Sequence, residues 1–84
     1  MKIKVIRNKD AIDYKDWSTW ECEPSTFDWT YTEEEHCFIL EGNVEVIGEI
    51  NTVTIEPGDY VIFPRGLSCV WKVSKAIKKH YTFK

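Results

Sequence analysis

The chain has 84 residues, enough for one domain, expected to span residues 1–84. Its 43% hydrophobic and 30% charged residues describe an ordinary folded globule and exclude a disordered chain. A formal charge of −3 argues against nucleic-acid binding, which uses a net basic surface, and no apolar run is long enough to cross a bilayer.

Period-2 alternation dominates the chain. Ile3 and Val5 alternate with Lys2 and Lys4 and predict a first strand, followed by a polar stretch, Asn8 to Trp17, that reads as a turn or short helical segment. Trp20 and Cys22 alternate with Glu21 and Glu23 until Pro24 stops the run. Phe27, Trp29 and Tyr31 share one face of the next strand, and Glu33 to Glu35 interrupts the apolar pattern. Cys37 to Leu40 reads as a buried run closed by a turn at Glu41-Gly42-Asn43.

Val44 and Val46 then alternate with Glu45, Gly48 to Thr52 turns, and Val53 and Ile55 form a further short strand. Pro57-Gly58-Asp59 is a strong turn signal, Tyr60 to Phe63 is apolar on both faces, and Pro64-Arg65-Gly66 turns again. Cys69, Trp71 and Val73 share a face, and Ala76 to Phe83 reads as a separate last strand. Lys75, Lys78, Lys79 and Lys84 are expected on the solvated face of an edge strand, where lysines discourage strand-to-strand aggregation. Eight or so short strands without helical periodicity indicate an all-β sandwich or barrel.

Four Trp, four Tyr and four Phe supply the dense core that so short a chain needs. Three cysteines, odd in number and without CxxC spacing, fit free thiols in a reducing cytoplasmic compartment.

Two segments carry more information: WTYTEEEHCFILEG (29–42) and GDYVIFPRGLSCVW (58–71). They resemble the two motifs of the cupin superfamily, G-x5-H-x-H-x3-E-x6-G and G-x5-P-x-G-x2-H-x3-N. Glu35 and Gly42 match the second half of the first motif; Gly58, Pro64 and Gly66 match the second motif without a gap. The runs CFILEGNVEV and PGDYVIFPRGLSCVWKV and the closing aromatic strand are most similar to small single-domain cupins related to the ureidoglycine aminohydrolase cupin domain. The resemblance implies a small antiparallel double-stranded β-helix, or jelly-roll barrel, and a homodimer paired through strands of one sheet.

The same resemblance shows what is missing. The histidine positions of the motifs fall on Trp29, Tyr31 and Cys69, and the asparagine position on Val73, so only the carboxylate Glu35 remains. A three-histidine, one-glutamate metal site is impossible there, and no cofactor is expected. Glu35, Cys69 and Tyr31 are the residues left for any different metal set, and His36, of opposite parity to Glu35, points to the other side of its strand.

The expected site is therefore an aromatic-walled pocket for a small molecule. Trp29, Tyr31, Cys37 and Trp71 are the ligand-binding candidates, or else simply fill a small barrel. Glu35 is the candidate acid or base, since burial without a partner raises a carboxyl pKa, or else a structural hydrogen-bond partner of Tyr31. A lone carboxylate between aromatic rings suits an amine, ammonium or amide ligand. Cys69, with His80 as base, is the candidate nucleophile, and Arg65 could meet an anion at the barrel mouth. An enzyme acting on a nitrogen-containing metabolite, a non-catalytic binding module and a structural barrel all remain open.

Overall fold

The computed structural model describes residues 1–7 and 16–84, so most of the polar Asn8 to Trp17 stretch lies outside the described residues. Seven strands are present among them: β1 (Lys4–Ile6), β2 (Ser18–Cys22), β3 (Ser25–Thr30), β4 (Glu35–Ile47), β5 (Thr52–Ile55), β6 (Tyr60–Phe63) and β7 (Ser68–Phe83). All their pairings are antiparallel.

Two long strands, β4 and β7, pair along their whole length from Glu35↔Phe83 to Ile47↔Val70 and form the spine. The first half of β4 also pairs with β6, which carries β1, while the last half of β7 pairs with β2. The second half of β4 pairs with β5, and the first half of β7 with β3. One bent ribbon thus carries two half-sheets, β1-β6-β4-β7-β2 and β5-β4-β7-β3, which face each other as a jelly roll.

The bend lies where a turn was expected. Glu41-Gly42-Asn43 does not reverse the chain; β4 runs through it, with register shifts against β7 between Ile39 and Val44. Buried positions on β4 are odd before it (Glu35, Cys37, Ile39) and even after it (Val44, Val46), as an inserted residue requires. Gly42 has φ 102°, and an added Cβ would stand 2.5 Å from the Ala76 carbonyl oxygen and 2.7 Å from Ile77 Cα. Only glycine allows both the backbone angle and the approach of β7.

The two strands expected around Cys69 and after Ala76 are therefore one, and β7 is central in the sheet rather than an edge. Glu35 opens β4 and shares its buried face with Cys37 and Ile39, as their common parity requires. The interior holds Val44, Val46, Ile55, Phe63, Leu67, Trp71, Val73 and Ile77, all buried. The N-terminal strand is tied down at both ends: Asn51 accepts from the Ile3 N–H and donates to its carbonyl, each at 3.0 Å, and Arg7 Nη1 reaches Asp59 Oδ2 at 2.8 Å.

Gly42→Ala is expected to destabilise the protein by about 3 kcal/mol or more, because backbone strain and a backbone clash add. Gly58→Ala, with φ 92° but no atom within 4 Å of the new Cβ, should cost only about 1 kcal/mol. Urea unfolding of the two variants measures the difference.

Candidate functional site

The inward rows of four strands converge at one end of the jelly roll. β2 supplies Trp20 and Cys22, β3 supplies Phe27 and Trp29, β4 supplies Glu35, and β7 supplies Trp71, Lys79, Tyr81 and Phe83. Tyr31 follows β3, fixed by backbone bonds to Leu67 O at 2.8 Å and from Gly66 N at 2.7 Å. Together they line a cavity of about 520 Å³. Trp29 and Phe83, 51% and 47% exposed, mark its rim, while Tyr31, Glu35, Trp71 and Lys79 are buried.

The walls are aromatic. Phe27 stacks on Trp71 at 6.0 Å between centroids, Trp20 meets Trp71 edge-on at 5.9 Å, and Tyr31 stacks on Phe63 at 4.8 Å. Such arrangements follow the ring quadrupoles and add to the apolar burial.

Lys79 is the residue that sequence reasoning misplaced. It was grouped with the solvated lysines, yet its ammonium donates to Glu35 Oε2 at 2.6 Å inside the protein. Its Nζ lies 4.7 Å from the Trp71 ring centroid, 5.0 Å from Trp20 and 5.7 Å from Tyr81. In register Lys79 faces Ile39, four positions along β4 from Glu35, so its stem must run along the sheet to reach the carboxylate. The buried row of β7 carried the signal: Cys69, Trp71, Val73, Ile77 and Lys79 share one parity.

This changes the chemistry expected of Glu35. The cation between the rings is the protein's own, so an ammonium ligand would compete with Lys79 for both the carboxylate and the rings. The phenol of Tyr31 is held above its ordinary range, first by burial and then by the neighbouring Glu35 carboxylate. Tyr31 therefore stays a donor.

Trp29, Tyr31, Glu35 and Trp71 come together as expected, but two other candidates do not join them. Cys37 is fully buried in the core behind the cavity, and burial pushes its thiol up to about 12 against the opposing pull of Lys79. Cys69 does not line the cavity; its Sγ donates to the Trp29 carbonyl at 3.6 Å. Burial raises its pKa, opposed by the nearby Trp71 indole. His80 is of opposite parity on the same strand and meets Thr19 Oγ1 at 3.1 Å. The structure therefore does not bring His80 to Cys69 as the base that a cysteine nucleophile needs.

His36 points away from the cavity, as its parity requires, with Nδ1 at 2.7 Å from Tyr60 Oη and Nε2 at 2.6 Å from Glu34 Oε2. Arg65 is exposed and outside the cavity lining.

The motif positions that hold metal in other cupins do not fit one here. Trp29 offers no ligand atom, the buried phenol of Tyr31 keeps its proton, and the one carboxylate already carries an ammonium. Among the described residues no three His, Cys, Asp or Glu side chains gather into a metal-binding group.

The EutQ-like cupin domain family matches residues 10–81. The chain belongs to this cupin family. Among solved structures, this cupin is similar to a DUF861 family protein from Thermotoga maritima, 40% identical with a TM-score of 0.92 over 99% of this chain and 100% of that one. It is also similar to the Clostridium difficile EutQ protein, 24% identical with a TM-score of 0.68 over 75% of this chain and 50% of that one. A cupin superfamily protein from Desulfitobacterium hafniense, 12% identical, shares the fold with a TM-score of 0.65. A search of curated proteins finds no match.

Removing one member of the buried pair should be far worse than removing both. Lys79→Met is expected to cost about 3–5 kcal/mol, since it strands the Glu35 charge. Adding Glu35→Gln should restore most of that loss, and a double-mutant cycle in urea reads the coupling.

Stability should also fall in alkali. The unfolded Cys37 thiol ionises near its ordinary 9.0 while the folded one holds its proton to about 12. Across that window the folded state binds more protons, so stability is full below pH 9 and declines as pH rises towards 12. Tyr31 acts in the same direction above 10.0. Urea midpoints on either side of pH 9 test this, and Cys37→Ala should flatten the slope.

Proposed function

We propose that the cavity binds a small, uncharged molecule with a planar or apolar body and a carbonyl group. The observation that carries this reading is the Lys79–Glu35 pair, 2.6 Å apart on the floor of an aromatic cavity that opens to solvent.

The charges of the pair cancel, so a ligand with a net charge would leave one charge uncompensated in an apolar site. Spare hydrogen-bond donors face the cavity. An ammonium has three N–H groups and one goes to Glu35. The indole N–H of Trp71 is buried without a partner, which is costly unless a ligand or water accepts from it. An acceptor oxygen is the matching group, and the rings of Trp20, Phe27 and Trp71 would cover the body of the ligand. A volume of about 520 Å³ lies within the range of small-molecule sites.

The resemblance to ureidoglycine aminohydrolase-like cupins suggests a nitrogen-containing metabolite, and a neutral amide or ureide meets the same requirements. In an enzyme of that kind Glu35 would exchange protons with the ligand through Lys79, the group bonded to it. Three free cysteines are in keeping with a reducing cytoplasmic compartment.

Three tryptophans line the cavity and report its occupancy. Benzamide is expected to quench their fluorescence saturably, and benzylammonium to bind at least about tenfold more weakly, a difference of about 1.4 kcal/mol. Equal or tighter binding of benzylammonium would show that the site selects cations and that this reading is wrong.

A further inference from the structure

We propose that Lys79 condenses with aldehydes or ketones to form a covalent imine, with Glu35 moving the protons. This rests on the carbonyl-binding reading above and adds a bond to it.

The geometry supplies what amine catalysis needs. The nucleophile is a lysine taken out of water: its side chain is 7% exposed, whereas Lys72 and Lys75 lie on the surface. The base is already in contact, since Nζ donates to Glu35 Oε2 at 2.6 Å. The cavity places the electrophile, because Lys79 lines it beside Trp20, Trp71 and Tyr81. Aromatic walls limit the water that would reverse the condensation.

The balance closes without any further reagent. Lys79 passes one proton to Glu35, and the freed nitrogen pair attacks the carbonyl carbon while the C=O π pair moves to oxygen. Glu35 relays protons from nitrogen to that oxygen, which leaves as water as the C=N bond forms. Of the three ammonium protons two depart in the water and one stays on the iminium nitrogen, and Glu35 ends as a carboxylate.

The product also suits the site. An iminium keeps the positive charge at the lysine nitrogen, next to Glu35 and the same rings. Neither the ion pair nor the cation–π contacts are lost when the bond forms. Lysines in apolar pockets are well suited to such Schiff-base chemistry.

The test uses the wild-type protein with benzaldehyde and sodium borohydride, read by intact mass and peptide mapping. A single reduced benzyl adduct is expected on Lys79, forming about tenfold or more faster than on Lys72, Lys75 or Lys84, the gain of a positioned amine. Benzamide, which cannot condense, should protect Lys79, and unfolding in urea should erase the preference. Fluorescence quenching by benzaldehyde without selective reduction at Lys79 would overturn the imine and leave the binding reading standing. Absence of quenching by both benzaldehyde and benzamide would remove the two together.

Discussion

The fold depends on one close approach, the passage of β7 over Gly42. At that point β4 takes an extra residue, turns its inward parity from odd to even, and bends both long strands back over themselves. The half-sheets so produced can face each other and bury a shared interior, which seven short, separate strands of an 84-residue chain could not do. The bend also decides what stands at the open end of the roll. Glu35 lies before it on β4 and Lys79 beyond it on β7, so both belong to the same half-sheet. Trp71, Phe27 and Trp29 reach them from the opposite one.

Within that frame the polar floor of the cavity is a balance of opposed terms. Desolvating a carboxylate and an ammonium costs several kcal/mol each, and their mutual attraction offsets this only when geometry is good and other contacts assist. Here the assistance comes from ring faces around the ammonium. The pair is therefore a weak source of net stability. The aromatic residues have a double role. Tyr31 and Trp71 are buried members of the core and also line the cavity.

Much of this was legible in the sequence because alternation reports which side of a strand is buried. The all-β class, the strand faces of Phe27, Trp29 and Tyr31, the outward direction of His36 and the two cupin motifs could all be read in that way. Gly42 was misread because a glycine flanked by polar residues marks a turn and a bulge equally well. The parity change from Ile39 to Val44 was the distinguishing sign. Lys79 was missed because proximity in sequence to Lys75, Lys78 and Lys84 outweighed its parity with Trp71 and Ile77. Cys37 and Cys69 had the correct parity but the wrong depth, and depth depends on how the half-sheets pack, which local pattern does not record.

The positive charge beside Glu35 is attached to the polypeptide itself. It is laid down at translation rather than acquired from solution, so chelators cannot strip it and it cannot be exchanged for another ion. A chain using such a residue gives up the adjustable valence and coordination number of a dissociable ion. In return it keeps a site whose charge is complete as soon as the sheet has closed.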